Sequence, residues 1–251
     1  MAYEPIIPRA RLGFIIPTSN RMVEPQVQRF MPPGVVPHFT RIGMTNKHKA
    51  PLEQQLPKMA AAAEMLSESK CNAIILQCTG TSMSAGLDME KRVIEAMEKA
   101  SGAPCSTAAS SLTSAFAALR AKKLVVVSET KQPDHEKKLK YLREAGYEIV
   151  ADKAVGLAGT DEYCTMPPQL WFDTTLALRN DKADAYFISC ANIHSIDVIE
   201  DLEKVLNKPV VTSNQAAIWK SLRLAGLYDA VPGLGHLLHH DARGGGVLAA
   251  E

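Results

Sequence analysis

The chain is expected to be an α/β protein of two pseudo-symmetric lobes, each a four-stranded parallel sheet flanked by helices, with an active site in the interlobe cleft. Three observations predict this. Short apolar runs alternate with longer amphipathic stretches, four such runs fall in each half, and the two halves match at an offset of 112 positions. Strands of parallel sheets are covered by helices on both faces, so they read as near-continuous apolar runs.

In order, the strand candidates are "RLGFII", "VVPHFTRI", "NAIILQ" and "APCSTA", then "KLVVVS", "YEIVAD", "DAYFIS" and "KPVVTS". Helix candidates lie between them: "PLEQQLPKMAAAAEMLSES", "MEKRVIEAMEKAS", "DHEKKLKYLREAG" and "HSIDVIEDLEKVL", each with apolar residues three and four apart. The repeat is clearest where "NAIILQCTG" at 72–80 matches "DAYFISCAN" at 184–192 by residue type. Leu12 and Leu124 keep the same offset as Cys78 and Cys190, and "GAPCSTAAS" resembles "NKPVVTSNQ". Duplication is the economical explanation. It predicts a first lobe of residues 1–117 with 216–251 and a second of 118–215. Crossovers are expected near 110–118 and 213–219, the last helix returning to the first lobe.

A chain of 251 residues can bury a core in each lobe. Hydrophobic residues are 46%, charged residues 22%, and the net charge is +1, so no basic stripe points to nucleic acid. A small-molecule partner is expected instead. No apolar run approaches a membrane span, and "MAYEPIIPRARLGF" lacks the apolar core of a signal peptide, which predicts a cytoplasmic protein. The five cysteines, Cys71, Cys78, Cys105, Cys164 and Cys190, are odd in number and lack CxxC spacing, against a disulfide framework and a structural zinc site. No nicotinamide fingerprint, Walker loop or HExxH motif occurs, so no cofactor is expected. His236, His239 and His240, with Asp241 beside them, have helical spacing suited to a metal. They sit near the C-terminus in a segment ending in glycines, where surface histidines are the better reading, and no metal is expected.

In open parallel sheets, ligands bind beyond the carboxyl ends of the strands. Cys78 and Cys190 both stand there, so two lobes facing each other would bring two thiols to one cleft. Thr79, Gly80, Thr81 and Ser82 follow the first thiol, Ala191 and Asn192 the second. Exposed N–H groups in such turns can hold a carboxylate and favour a thiolate. A cysteine alone reads as a small buried hydrophobe. Repetition at matching strand ends favours function for this pair and leaves Cys71, Cys105 and Cys164 structural. In "IIPTSNRMVEPQ", Ser19 and Asn20 can serve as helix caps or as ligands of a carboxylate. The equivalent turn "VVVSETKQPD" offers Ser128 and Thr130, with capping favoured.

With "PTSN...EP", "QCTGTSMSAG", "SCAN" and "PVVTSNQAAIW" in this order, the sequence resembles the aspartate/glutamate racemase superfamily, in its branch of maleate cis-trans isomerases and arylmalonate decarboxylases. The resemblance spans essentially the whole chain. It implies a cofactor-independent isomerase of a small unsaturated dicarboxylate, with Cys78 adding to the double bond and Cys190 as acid/base partner. Asn20 would bind a substrate carboxylate, with Thr79, Gly80, Ala191 and Asn192 as anion-hole donors. Decarboxylases of the branch carry glycine where Cys78 stands, which favours isomerisation or racemisation. An Asp/Glu-type racemase, an arylmalonate-type decarboxylase and a non-catalytic binder of a small carboxylate are the alternatives. The resemblance also implies a homodimer or higher homo-oligomer. Two departures bear on specificity. The usual "TPY" or "TAY" turn is "SET" here, putting Thr130 at the tyrosine position, and "SCANIHS" puts His194 near a usual arginine, as a carboxylate contact or a helix-start residue.

Overall fold

The computed structural model describes residues 7–45, 48 and 50–240. Within them each predicted apolar run is a strand: β1 (Ala10–Pro17), β2 (Val35–Ile42), β3 (Ala73–Leu76), β4 (Cys105–Thr107), β5 (Lys123–Ser128), β6 (Glu148–Ala154), β7 (Ala185–Ser189) and β8 (Val210–Thr212). They form two sheets, ordered β2-β1-β3-β4 and β6-β5-β7-β8, with every pairing parallel. The order is the same in both lobes. In each, the chain reverses its direction of travel between the first and third strands, and this reversal opens a crevice at their carboxyl ends.

The described residues form eleven α-helices, nine between strands and two after β8: α1 (Val23–Phe30), α2 (Leu52–Glu68), α3 (Thr79–Ser84), α4 (Gly86–Ser101), α5 (Ala108–Ala118), α6 (Gln132–Glu144), α7 (Thr160–Tyr163), α8 (Pro168–Leu176), α9 (Ile199–Leu206), α10 (Ser213–Leu224) and α11 (Gly235–His240). The four helices expected from periodicity are α2, α4, α6 and, with a 3-10 turn at Ile196–Val198, α9. The two crossovers are α5 and α10, which start with equivalent caps. Thr107 accepts from the Ser110 N–H, and Thr212 forms a reciprocal capping box with Gln215.

Alternation along β1 explains its unbroken apolar sequence. Leu12, Phe14 and Ile16 face a core shared by both lobes, while Ile15 faces Met59, Ala62, Ala63 and Leu66 of α2 and Val93 and Met97 of α4. Gly13 permits this approach: a Cβ there would meet the side chains of Ile74 and Leu66 at 3.1 Å. The shared core is continuous from lobe to lobe. Phe116 of α5 lies edge-on to Phe187 of β7, with centroids 5.7 Å apart, and edge-on to Tyr147 at 5.3 Å. A buried carboxylate adds a polar strut, Glu90 of α4 accepting from the hydroxyls of Thr107 and Tyr141. The helix that crosses to the first lobe is α10, which packs on α5, α1, β3 and β4. The last described helix, α11, does not make that return. It lies on α9 and β8, where Glu203 accepts from the His236 N–H at 2.8 Å. No helix among the described residues is long and apolar enough to cross a membrane.

Because Phe116 is fully buried where the lobes meet, Phe116→Ala is expected to lower stability by about 3–5 kcal/mol. A fall in the midpoint of urea unfolding, with the transition still single, checks this.

Candidate active site

Each sheet delivers two strand ends to the crevice, and the turns that follow them build one cleft of about 560 Å³. Its walls include Cys78 and Cys190, and with them Ser19, Asn20, Thr79, Gly80, Thr130, Ala191 and Asn192. Nine of the ten residues expected from sequence therefore share one cavity. His194 does not reach it. The chain turns outward toward the 3-10 segment, and the His194 ring instead meets the Cys164 carbonyl through Nε2 at 3.0 Å. Ser128 sits behind the wall, where its Oγ meets His135 Nδ1 at 2.6 Å and Thr130 Oγ1 at 3.2 Å. Of the histidine cluster, His236 and His239 lie beside Glu203 and Glu200, and Asp241 is outside the described residues. The described residues contain no group of three or more ligand-type side chains placed to hold a metal.

A buried network of side-chain amides forms the floor. Gln77 Nε2 donates to the Ser213 carbonyl and to Asn214 Oδ1, both at 2.9 Å. Asn214 Nδ2 donates in turn to Gln26 Oε1 at 2.6 Å and to the Ala191 carbonyl at 3.2 Å. Gln26 Nε2 reaches the Ile193 carbonyl at 2.9 Å. Strand ends of both lobes are thus pinned through α1 and α10. Asn20 organises the helix start, as its capping reading expects, and also reaches across to the second lobe. Its Oδ1 accepts from the N–H groups of Met22 and Val23, organising the start of α1, and its Nδ2 donates to the Ala191 carbonyl at 3.0 Å. The amide has a second N–H for a ligand. Ser19 Oγ pairs with Thr45 Oγ1 at 2.9 Å.

The two thiols differ despite the repeat. Cys78 has an ordinary extended backbone and leads straight into α3, where the Ser82 N–H closes the first helical bond onto its carbonyl. The N–H groups of Thr79 and Gly80 consequently have no intrahelical acceptor. Cys78 Sγ donates to Thr81 Oγ1 at 3.0 Å. Cys190 has φ of 124°, a conformation costly for any residue with a Cβ. It is held there by its N–H donating to Ser213 Oγ at 3.1 Å, and the Asn192 N–H points at its sulfur at 3.3 Å. No helix begins at once after Cys190, contrary to the symmetry of the sequence. The Asn192 side chain is committed to the first lobe, accepting from the Arg21 N–H at 2.8 Å.

Burial pushes the Cys78 thiol up from its ordinary range, and contacts with Thr81 only partly oppose it. The expected pull toward thiolate by the helix end is outweighed by desolvation. Burial pushes Cys190 well up, assisted by the Glu129 carboxylate and opposed by Lys138 and the Asn192 N–H. Desolvation therefore favours the thiol form of both. Cys71 and Cys105, buried outside the cleft, are pushed up to about 11 by desolvation.

Sequence reasoning missed the charged groups of the second-lobe wall. Glu129, in the turn after β5, and Lys138, on α6, line the cleft and form a buried ion pair at 2.6 Å. Tyr163 at the end of α7 joins them. Glu129 was hidden because a carboxylate beyond a strand ordinarily reads as solvated. Lys138 carried a detectable signal: it shares the buried face of α6 with His135, Leu139 and Leu142, spaced for the inner face of a helix.

Fold and cleft define a two-lobed α/β protein of the aspartate/glutamate racemase type, with a thiol from each lobe. The sequence profile of the arylmalonate decarboxylase family matches residues 12–238, and the chain belongs to that family, which groups arylmalonate decarboxylases with maleate isomerases within the aspartate/glutamate racemase superfamily. It is 25% identical to a maleate isomerase of Pseudomonas putida over 241 residues, covering 91% of this chain and 96% of the relative. It is 23% identical to an arylmalonate decarboxylase of Bordetella bronchiseptica over 232 residues, covering 90% and 95%. Among solved structures, the Nocardia farcinica maleate cis-trans isomerase bound to TRIS superimposes with a TM-score of 0.84 at 25% identity, covering 93% of this chain and 99% of that one. A cysteine-to-serine mutant of the same isomerase, with a covalently bound succinylcysteine intermediate, gives 0.83 at 24% identity, covering 92% and 99%.

Asn214→Ala removes the amide that joins Gln77, Gln26 and the Ala191 carbonyl, leaving buried polar atoms unsatisfied. It is expected to cost about 1–3 kcal/mol, read as a lower urea midpoint.

Proposed function

We propose that the protein is a cofactor-independent cis-trans isomerase of a small unsaturated dicarboxylate, of the maleate-to-fumarate type. The observation that carries this is the presence of Cys78 and Cys190, one from each matched strand end, in the wall of a single cleft. The family is compatible with isomerase and decarboxylase alike. A thiol at position 78 favours the isomerase reading, because addition of sulfur to an alkene needs a nucleophile where the decarboxylases of the branch have glycine.

In the proposed cycle, the Cys78 thiolate attacks one alkene carbon while the Cys190 thiol delivers its proton to the neighbouring carbon, converting the double bond to a single bond. Rotation about that bond follows. Cys190, now a thiolate, removes a proton from the same carbon, the bond to Cys78 breaks, and the trans alkene leaves. Cys78 must lose its proton before it attacks. A carboxylate of the substrate is held by the N–H groups of Thr79 and Gly80 and by the second N–H of Asn20, where charge builds as sulfur adds. The Thr79 hydroxyl supports this assignment, being buried with no partner among the described residues. Thr130 provides a shorter hydroxyl at the position of the family's tyrosine. Ala191 supplies an N–H at the second strand end, while the Asn192 N–H serves the Cys190 sulfur.

A racemase would use the same pair of thiols, one on each face of an α-carbon. A purely binding protein would need neither. Maleate turnover followed by proton NMR separates these readings. Fumarate is expected from the wild type, with loss of about a thousandfold or more in kcat for Cys78→Ala and for Cys190→Ala while the fold is kept. The rate is expected to rise tenfold per pH unit until Cys78 is deprotonated, since burial holds its proton at neutral pH. Undiminished turnover in either mutant would sink the two-thiol mechanism.

A further inference from the structure

The repeat makes the two cysteines equivalent in sequence, yet the proposed cycle gives them opposite roles. Some feature of the cleft must decide which thiol keeps its proton. The first-lobe wall around Cys78 offers hydroxyl and backbone groups, Thr81 foremost, and Glu129 and Lys138 act on this thiol more weakly than Thr81 does. The second-lobe wall is charged. Glu129 follows Ser128 and Cys190 follows Ser189, register partners at the ends of the paired strands β5 and β7, so Glu129 stands beside Cys190 in the cleft wall. Lys138 rises from the inner face of α6 and donates to Glu129 Oε2 at 2.6 Å. Both side chains are almost wholly buried, at 5% and 2% exposure.

A carboxylate has no reason to be buried in such a place for stability alone. Desolvating an ion pair costs several kcal/mol per ion, and a well-packed apolar pair often serves a fold as well. Lys138 donates to that carboxylate, and a carboxylate charge beside a thiol opposes formation of a second negative charge. The other titratable groups lining the cleft are Tyr163 of α7, Asp134 of α6 and Cys78. Tyr163 is held neutral by burial and by the nearby acids. Asp134 adds a further negative charge, shared with Lys137 on the same helix at 2.6 Å.

We propose that Glu129, anchored by Lys138, is a positioning residue that holds Cys190 in its thiol form and thereby fixes it as the proton donor, leaving Cys78 as the nucleophile. This deepens the two-thiol reading and rests on it for its catalytic meaning, but the electrostatic claim stands apart from any substrate. In the forward half-cycle, the S–H proton of Cys190 passes to carbon and the sulfur becomes a thiolate. Glu129 disfavours that thiolate, which drives the return of the proton and the release of product. Glu129 itself exchanges no proton in this scheme.

The test is the pH dependence of alkylation by iodoacetamide, followed for each cysteine by peptide mass spectrometry on the intact enzyme without substrate. In the wild type, the midpoint for Cys190 is expected above that for Cys78. Glu129→Gln keeps an acceptor for Lys138 but removes the charge, leaving Lys138 uncompensated. It is expected to speed Cys190 alkylation at pH 7.5 by about tenfold or more, since one unit of pKa is tenfold in thiolate, with Cys78 changing much less. A Cys190 midpoint that stays put in Glu129→Gln would overturn the proposal. So would a wild-type midpoint for Cys190 at or below that for Cys78, a readout that does not depend on the variant folding. Failure of maleate turnover leaves both readouts intact, so the isomerase reading and this one fail separately.

Discussion

The structure depends on a small set of buried amides that lock two sheets together at their carboxyl ends. Parallel strands leave their terminal peptide groups unpaired where the sheet stops, and in this molecule those ends face each other across the interface of two lobes. Gln77, Gln26, Asn214 and Asn20 supply donors and acceptors where water is excluded, and the carbonyls of Ala191, Ile193 and Ser213 receive them. A buried polar group without a partner costs as much as the hydrogen bond it lacks, so the network admits few alternative registers between the lobes. The cleft is the space left in front of it. Its two thiols have a defined relation because the groups behind them have one.

From that constraint follows the asymmetry of the site. Ser213 is both the first residue of α10 and the acceptor for the Cys190 N–H, and accommodating it bends Cys190 to positive φ. Cys78 has no such demand and passes directly into α3. The repeat places two cysteines at equivalent strand ends, and the closing crossover of the second lobe makes them different. The electrostatics run the same way: the Thr81 hydroxyl is the main polar influence on Cys78, and the buried Glu129–Lys138 pair is the main one on Cys190. Desolvation raises both thiols.

Much of this was legible in the sequence, for physical reasons that can be named. Six of the eight strands could be read because they are buried on both faces, which leaves an apolar run that polar loops cannot imitate, whereas the edge strands β2 and β6 are only partly buried. The pairing of Cys78 with Cys190 could be read because a duplication repeats position as well as type. Three kinds of feature escaped. Short helices such as α3, with sequence "TGTSMS", have little intrinsic propensity and exist because a strand end positions them. His194 was drawn toward the site by analogy with an arginine, whereas the local turn aims it at Cys164. The Glu129–Lys138 pair could be seen only by treating Lys138 as part of an apolar helix face, since a lysine in "EKKLKYL" otherwise reads as solvated.

The central claim is that Cys78 forms a bond to carbon while Cys190 handles protons. It is tested most directly by incubating the Cys190→Ser protein with maleate, quenching, and mapping the modified peptide by mass spectrometry. The account predicts a mass increase equal to one added substrate on the peptide containing Cys78, and on no other cysteine. An adduct found elsewhere, or a Cys78 peptide that stays unmodified while maleate binds, would contradict it.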